Sequence, residues 1–148
     1  ISNDEDYKKA KLNCLNLERE FIFEESIEGR EFTVTIIGNK CYPVIEIKTQ
    51  NDFYDYDAKY ISDDTILDQA KLSDNELNII NDIALRAFHA LKCSGWARVD
   101  IIQDINGNFN VIEINTVPGM TSHSCVPKSG GFMGLSYQDV IKEILSNV

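Results

Sequence analysis

Two short polar runs near the end of the chain have the residue types and spacing of a metal or reaction centre. Arg98 and Asp100 form the first run, Glu113 and Asn115 form the second, and Asn-Gly lies between them at 106–107. Asn-Gly is typical of a two-residue hairpin loop, and such a loop pairs Asp100 with Glu113 and Arg98 with Asn115. Because side chains alternate between the faces of a strand, these polar side chains are predicted to share one face.

Two facing carboxylates repel each other, and a divalent cation between them would remove the repulsion. Carboxylate and amide oxygens are the ligands that Mg²⁺ selects, so Asp100, Glu113 and Asn115 are candidate metal ligands. A surface salt bridge with Arg98 is the alternative, since exposed strand pairs commonly carry opposite charges. The metal-site hypothesis depends on the loop length, because an odd number of loop residues would put Arg98 and Asp100 on one face and Glu113 and Asn115 on the other. The aliphatic residues between the polar ones are predicted to face the core: Val99, Ile101, Ile112 and Ile114.

The segment that follows, residues 115–124, reads Asn-Thr-Val-Pro-Gly-Met-Thr-Ser-His-Ser. Gly119 lets the backbone approach a substrate closely, and backbone N–H groups in such a loop can hold an oxyanion with Arg98 nearby as a cation. The alternative is an ordinary surface loop. His123 alone favours a structural hydrogen bond over a catalytic base. Side-chain hydroxyls are available at Thr121, Ser122 and Ser124.

Two further segments could bind a nucleotide. Residues 53–60 place aromatic rings beside Lys59 and could close over a nucleotide with the lysine on a phosphate. A self-packed loop is an equally good interpretation of the same residues. Residues 24–31 join two predicted strands, and their backbone could offer N–H and C=O groups to an adenine-like edge. A carboxylate there could accept hydrogen bonds from ribose hydroxyls.

Composition limits the classes of protein to which the chain can belong. Its 148 residues are 43% hydrophobic, which is enough for one sizeable core and indicates one domain or part of one. A net charge of −10 argues against binding nucleic acid over a broad surface. No stretch is long enough to span a membrane, and the acidic N-terminus differs from a signal peptide. The four scattered cysteines form no Cys-x-x-Cys pair, which favours free cytosolic thiols over a zinc site.

Hydrophobic periodicity predicts the elements of the first part of the chain. Residues 4–17 carry a weak helical stripe, and residues 19–24, 31–37 and 40–47 alternate like strands. Pro43 has no backbone donor for an inner ladder. The third strand is therefore predicted at a sheet edge, or with the Pro43 nitrogen facing solvent.

The second part of the chain is predicted to place loops and helices around the hairpin. Residues 49–71 show neither period, and so long an irregular stretch is typical of a functional loop. Ser73 begins a capping box for a helix that ends before Gly95. Residues 116–135 are predicted as a loop, and Ser136 caps a last helix. The apolar stripes are Leu77, Ile80, Ala84, Ala87, Phe88 and Leu91 in the first helix, and Val140, Ile141, Ile144 and Leu145 in the last.

Four of these segments occur in an order that resembles the C-terminal half of the D-alanine–D-alanine ligase family, within the ATP-grasp superfamily. They are residues 24–31, 53–60, 95–100 and 113–124, and the similarity runs from about Phe21 onward. The runs Phe-Tyr-Asp-Tyr-Asp-Ala-Lys-Tyr and Glu-Ile-Asn-Thr-Val-Pro-Gly-Met-Thr-Ser-His-Ser carry most of the specificity. The resemblance implies an α+β fold, namely an ATP-grasp lobe with a mostly antiparallel sheet flanked by helices.

The resemblance also implies a domain assignment. Residues 1–148 are expected to be the C-terminal part of an ATP-grasp domain, and the missing initiator Met fits an excised piece. The family's N-terminal substrate domain and glycine-rich phosphate loop are absent from this chain, so the fragment alone is expected to be inactive. The parent is expected to be a cytoplasmic homodimer that makes a peptidoglycan precursor from D-alanine and ATP, with no nucleic-acid or membrane partner.

A reaction and a role for each matching residue follow from the same resemblance. ATP phosphorylates the carboxylate of one D-alanine, and the amine of a second D-alanine attacks the acyl phosphate. Two Mg²⁺ ions, replaceable by Mn²⁺, are expected on Asp100, Glu113 and Asn115. The other implied roles are ATP binding by Glu24, Ser26, Ile27, Glu31 and Lys59, catalysis by Arg98, the N–H of Gly119 and Tyr60 of the mobile loop, and contact with the second D-alanine by Ser124 and Cys125.

Two rival interpretations stay open. Another ATP-grasp carboxylate–amine ligase would make the match of residues 53–60 fortuitous. A nucleotide-binding or interaction domain without chemistry would have poor oxygen geometry at the metal site, or a parent that binds no ATP. Cys125 departs from the family pattern, in which an aliphatic residue is expected at this position.

Overall fold

The computed structural model of the protein describes residues 3–15, 20–48 and 65–148. The described helices are α1 (Asp4–Leu15), α2 (Asp74–Ala90), α3 (Cys125–Phe132) and α4 (Tyr137–Leu145), and the described strands are β1 (Gly29–Ile37), β2 (Lys40–Cys41), β3 (Ile45–Lys48), β4 (Ile66–Gln69), β5 (Trp96–Asp104) and β6 (Phe109–Asn115). All strand pairings between them are antiparallel, in the order β4-β3-β1-β5-β6, with β2 paired to β1. The predicted α+β architecture is confirmed.

The central pair of the sheet is β1 with β5. Their register runs without interruption from Gly29 opposite Asp104 to Ile37 opposite Trp96. A Cβ atom at Gly29 would overlap the carbonyl oxygen of Gln103, so the start of this pairing requires glycine. This long, regular strand pairing fixes the positions of the polar residues of β5.

One face of the sheet packs against α2 and forms the main core. Alternate residues of the two central strands meet one stripe of the helix. The buried members are Phe32, Val34, Ile36, Val44, Ala97, Val99, Ile101 and Phe109 around the sheet, and Ile80, Ala84 and Phe88 on α2. Leu77 and Ala87 are partly buried against this cluster, which confirms the predicted stripe, whereas Leu91 lies past the helix end and is 65% exposed.

The predicted capping box of α2 is confirmed. The Ser73 hydroxyl accepts a hydrogen bond from the Glu76 N–H at 3.4 Å, and the Glu76 carboxylate accepts one from the Ser73 N–H at 2.8 Å. The prediction that Ser136 caps α4 is also confirmed, and Ser136 forms the same motif there with Asp139. Val140 and Ile144 of that helix are buried, while Leu145 is exposed.

The described residues cover the opposite face of the sheet only in part. Near one end of β1, α3 and α4 pack their apolar residues against it, with Ile37, Tyr42, Val126, Val140 and Ile144 buried together. A smaller cluster joins Ile45, Ile47 and Cys125. Along the middle of this face, β1 and β5 present polar side chains instead.

The predicted strand at 19–24 is wrong for the residues that the structure describes. Residues 20–28 have no regular structure. Phe21 and Phe23 contact each other with ring centroids 5.6 Å apart, and Phe23 contacts Tyr7 of α1 at 5.1 Å. Ile22 is 82% exposed. The alternation therefore reflects an aromatic cluster beside α1 and not a half-buried strand.

The predicted single strand at 40–47 is divided into β2 and β3. Pro43 lies in the break between them, and its carbonyl accepts a hydrogen bond from the Ser129 hydroxyl at 2.6 Å. Because β3 pairs with β1 on one side and β4 on the other, the prediction of an edge strand is wrong. The missing N–H of proline is accommodated by interrupting the strand.

Two short elements lie where the sequence predicted irregular structure. The strand β4 falls within 49–71, and the helix α3 falls within 116–135. β4 has only four residues, too few to establish a period, and α3 contains Pro127 and two glycines. Pro127 lies in the first turn of the helix, where its backbone N–H would have no partner within the helix, so it is tolerated. Within the described part of the chain, no helix is both long and apolar enough to cross a membrane.

Candidate functional site

The hairpin between β5 and β6 has a three-residue loop, so the predicted two-residue loop is wrong. The Asp104 N–H donates to the Asn108 carbonyl at 2.9 Å, and the Gly107 N–H donates to the Asp104 carbonyl at 3.0 Å. Gly107 has a φ of +86°, the left-handed conformation that such a loop requires at its last position. Without a further irregularity, this odd number of loop residues would put Glu113 and Asn115 on the face of the sheet opposite to Arg98 and Asp100.

A β-bulge restores the alignment that the loop removes. Ile101 is opposite Val111, whereas Asp100 is opposite Glu113, so Ile112 is an extra residue on β6. Beyond the bulge, Asp100 faces Glu113 and Arg98 faces Asn115, as predicted. Ile112 is 47% exposed, which contradicts its predicted core position.

Arg98 and Asp100 form a two-point ion pair at the centre of the polar face. Arg98 donates from Nε to Oδ1 of Asp100 at 2.9 Å and from Nη2 to Oδ2 at 2.7 Å. The side chains are 12% and 2% exposed, so the surface salt bridge considered as the alternative is here a mostly buried pair. Removing either partner would leave a charge with little water around it.

Thr33 of β1 completes the surroundings of Asp100. Its hydroxyl lies 2.7 Å from Oδ1 of Asp100, and the two residues are register partners. Thr33 belongs to none of the motifs recognised in the sequence. The signal was available, since strand alternation places Thr33 on the face opposite Phe32 and Val34.

Among the predicted nucleotide-binding residues, Glu31 lies on the same face of the sheet. Glu31 lies two positions before Thr33 on β1, and therefore projects from the face that carries Arg98 and Asp100. Glu24, Ser26 and Ile27 belong to the irregular segment that leads into β1. Lys59, Tyr60 and the rest of residues 53–60 lie outside the described residues.

The segment after β6 folds back on the start of α3. Asn115 accepts a hydrogen bond from the Val117 N–H at 3.1 Å through Oδ1. Ser124, at the N-cap position of α3, accepts from the Thr121 N–H at 3.0 Å through Oγ. A Cβ added to the exposed Gly119 would lie 3.2 Å from this Oγ. The structure thus brings Gly119 and Ser124 close together.

Cys125 is the first residue of α3 and packs with Ile45 and Ile47. Burial is the main reason that the pKa of its thiol rises to about 11, with smaller opposing effects from Arg98, which lowers it, and Asp100, which raises it. Those charge effects show that Cys125 is close to the ion pair. The thiol is protonated at neutral pH and acts here as a small apolar side chain.

The oxygen ligands predicted for a metal are two carboxylates and one amide. Among residues 3–15, 20–48 and 65–148, no group of three or more His, Cys, Asp or Glu side chains is arranged to hold a metal. Mg²⁺ is usually bound by one or two carboxylates together with substrate phosphates, and not by a complete cage of protein ligands. Asp100, exposed Glu113 and Asn115 fit that mode in their chemistry and in sharing one face.

The antiparallel sheet, its helical cover and the acidic hairpin at one edge of the sheet form the architecture of an ATP-grasp lobe. The chain belongs to the D-alanine–D-alanine ligase family, because the family profile "D-ala D-ala ligase C-terminus" matches residues 1–146. It is 39% identical over 142 residues to the D-alanine–D-alanine ligase of Mannheimia succiniciproducens and 43% identical over 141 residues to that of Marinomonas sp.. These matches cover 95% and 93% of this chain but 46% and 44% of the relatives, so the chain spans about half their length.

Solved structures give the same result. The D-alanine–D-alanine ligase from Bacillus anthracis complexed with ATP superposes with a TM-score of 0.84 at 29% identity, over 99% of this chain and 47% of that one. The VanG D-Ala:D-Ser ligase from Enterococcus faecalis gives a TM-score of 0.70 at 31% identity, over 83% of this chain and 37% of that one. The match to the first structure confirms the predicted fold over nearly the whole chain.

Proposed function

We propose that this chain is the C-terminal part of an ATP-grasp ligase that joins two D-alanine molecules at the expense of ATP. One observation carries the proposal: Asp100 and Glu113 face each other across the hairpin, on the face that also presents Arg98 and Glu31. The names of its relatives support the choice of D-alanine, and the ATP complex of the Bacillus anthracis relative supports the choice of nucleotide.

The proposed reaction has two steps. The γ-phosphate of ATP is transferred to the carboxylate of the first D-alanine, which gives ADP and an acyl phosphate. The amine of the second D-alanine then attacks the acyl carbon, loses a proton, and displaces inorganic phosphate to give the dipeptide. Charge on the phosphate and acyl oxygens must be balanced in both steps.

For the nucleotide, we assign a binding role to the segment that leads into β1. Glu31 is assigned to accept hydrogen bonds from the ribose hydroxyls, while Glu24, Ser26 and Ile27 are assigned to bind the base through the backbone around them. Lys59 and Tyr60 are assigned to a loop that closes over the phosphates. Closure would exclude water, which would otherwise hydrolyse the acyl phosphate.

For the metal, we assign Asp100, Glu113 and Asn115 as the residues that hold two Mg²⁺ ions, with Mn²⁺ as a substitute. Bound Mg²⁺ supplies positive charge to the transferring phosphoryl group. Asp100 is already held by Arg98 and Thr33. Asn115 keeps one lone pair on Oδ1 after its hydrogen bond with the Val117 N–H. Glu113 is exposed.

For the acyl centre, we assign Arg98 and the N–H of Gly119 to the oxyanion of the tetrahedral intermediate. Arg98 lies on the polar face, and Gly119 lies in the loop that Ser124 closes. Ser124 and Cys125 are assigned to the second D-alanine, Ser124 through its hydroxyl and Cys125 as an apolar wall. We further propose a cytoplasmic, homodimeric parent that makes a peptidoglycan precursor without a nucleic-acid or membrane partner.

The test uses the full-length protein that contains this chain. ADP, phosphate and D-alanyl-D-alanine are measured with ATP, Mg²⁺ and D-alanine, and all three are expected in equal amounts. Phosphate release that requires a different amino acid would favour another ATP-grasp carboxylate–amine ligase. Absence of ATP binding would favour a domain without chemistry and contradict the proposal.

A second assay tests how the activity is divided along the chain. Residues 1–148 alone are expected to form no dipeptide, because positioning of both reactants contributes roughly 7–11 kcal/mol to such reactions and the first substrate's domain is assigned to the rest of the protein. Activity that appears only when the missing part is added would support this division. Dipeptide formed by residues 1–148 alone would contradict it.

A further inference from the structure

Two threonines on β1 occupy matched positions but have different hydrogen bonds. Thr33 and Thr35 lie on the same face of the strand, opposite Asp100 and Arg98 respectively, and each is 1% exposed. The Thr33 hydroxyl is 2.7 Å from Oδ1 of Asp100 and 3.5 Å from the Val99 carbonyl, so Asp100 is the better acceptor. The Thr35 hydroxyl has no hydrogen-bond partner among the described residues.

The two carboxylate oxygens of Asp100 accept different numbers of hydrogen bonds. Oδ1 accepts from the Thr33 hydroxyl and from Nε of Arg98, while among the described residues Oδ2 accepts only from Nη2 of Arg98. A carboxylate oxygen has about two lone-pair directions. Oδ1 is therefore saturated, and Oδ2 retains one lone pair. Thr33 reaches Oδ1 from β1 on one side of β5, while β6, which carries Glu113, lies on the other side of β5.

We propose that Thr33 is a positioning residue that fixes the Asp100 carboxylate so that only Oδ2 is presented to a divalent cation. This inference rests on the proposed function, in which Asp100 is a metal ligand. The χ2 torsion of aspartate is broad, whereas threonine is β-branched and stiff about χ1. Thr33 is also anchored in the central strand pair of the sheet.

The experiment compares Thr33→Val with Thr35→Val in the full-length protein. Valine keeps the shape of threonine and removes only the hydroxyl, so each variant deletes one buried oxygen from the same face of the same strand. Mn²⁺ alone is titrated into each protein, and free Mn²⁺ is measured by electron paramagnetic resonance. Thr33→Val is expected to weaken Mn²⁺ binding roughly tenfold or more, the usual effect of removing a group that orients a metal ligand. Thr35→Val is expected to change it less than about twofold.

Two further variants separate this inference from the proposed function and from a folding defect. Glu113→Gln tests the metal site itself: if it and Thr33→Val both bind Mn²⁺ as the wild type does, both proposals are wrong. If Glu113→Gln loses binding while Thr33→Val and Thr35→Val behave alike, the inference about Thr33 alone is overturned. Thr33→Ser keeps the hydroxyl and is expected to retain Mn²⁺ affinity with a lowered unfolding midpoint. A loss in Thr33→Ser equal to that in Thr33→Val would also overturn the positioning role.

Discussion

The two faces of β5 are both buried, but they are stabilised by different interactions. Toward α2, the strand presents Ala97, Val99 and Ile101, each fully buried among other apolar side chains. On the opposite face, Arg98 and Asp100 are held by hydrogen bonds that they make with each other and with Thr33. Alternate residues of one strand thus contribute to a core and to a candidate site.

The interactions on the two faces differ in how strongly their stabilising effect depends on geometry. Apolar burial stabilises in proportion to the area removed from water and has little directional requirement. A buried ion pair must offset the desolvation of both charges, which needs good geometry and further hydrogen bonds. The face toward α2 should therefore control stability, and the face with Arg98 should control the position of reacting groups.

The largest expected effect comes from Glu113 on the polar face. Glu113→Gln should reduce ligation by the full-length protein on the order of a thousandfold, because metal-assisted charge stabilisation contributes several kcal/mol. Stability should change little, since Glu113 is exposed and lies opposite another carboxylate. The measurements are dipeptide formation and the thermal unfolding midpoint. Glu143→Gln, at an exposed position on α4, is the control, and near-normal turnover of Glu113→Gln at low Mg²⁺ would contradict the assignment.

The complementary change is Phe88→Ala on the other face. Phe88 is 1% exposed in the core between α2 and the sheet, and loss of a buried phenylalanine typically costs about 3–5 kcal/mol. Hydrogen exchange of the β1 and β5 amides in the full-length protein would measure this loss. Leu91→Ala, just beyond the end of the same helix, should change stability by less than about 0.5 kcal/mol. Equal effects of the two variants would show that this face is not the stabilising one.

A smaller effect is expected from the start of α2. Ser73→Ala removes both side-chain bonds that Ser73 makes with Glu76 and should lower stability by about 1 kcal/mol. The same hydrogen-exchange measurement applies, now for the amides of the first helical turn. Ser94→Ala, at an exposed position beyond the far end of the helix, should have no measurable effect. If the amides of the first helical turn exchange hydrogen at the same rate in both variants, the capping box contributes nothing to the stability of this face.

How much of the site could be predicted from the sequence is best judged at the hairpin. The pairing of Asp100 with Glu113 and of Arg98 with Asn115 was predicted and is confirmed, but the loop that led to it is wrong. An odd loop and a one-residue bulge compensate each other. The loop length depends on the left-handed Gly107, and the bulge at Ile112 depends on packing across the sheet, which no local pattern encodes.

The same limit explains the elements that were missed. The helix α2 has a capping box and a long apolar stripe, so its own residues define it. The strand β4 exists because β3 offers it an unpaired edge, and α3 exists because the sheet accepts Val126 and Cys125. Their structure is set by partners distant in the sequence. Thr33 was missed for a related reason, since its role depends on Asp100, a residue 67 positions away.

The smallest expected effect is a change in the pH dependence of stability that arises on the core side of β5. The pKa of Glu76 is lowered from its ordinary 4.5 to about 2, mainly by the hydrogen bond with the Ser73 hydroxyl, then by those with the Ser73 backbone and Gln103. A carboxyl with a lowered folded-state pKa stabilises the fold above its unfolded pKa, and this stabilisation is lost as pH falls through the folded pKa. Glu76 should therefore contribute stability above about pH 4.5 that disappears between about pH 4.5 and about pH 2.

Two variants test the sign of this effect through thermal unfolding midpoints across that range of pH. Glu76→Gln should remove this part of the acid sensitivity, because the amide does not titrate. Ser73→Ala should instead move the loss of stability to higher pH, because the pKa of Glu76 returns toward its ordinary value without its principal donor. An unchanged pH profile in both variants would show that the bonds of Glu76 to Ser73 and Gln103 do not depend on its charge. The charge of Glu76 would then contribute nothing to the stability of the face toward α2, which would sharpen the contrast with the ion pair of Arg98 and Asp100.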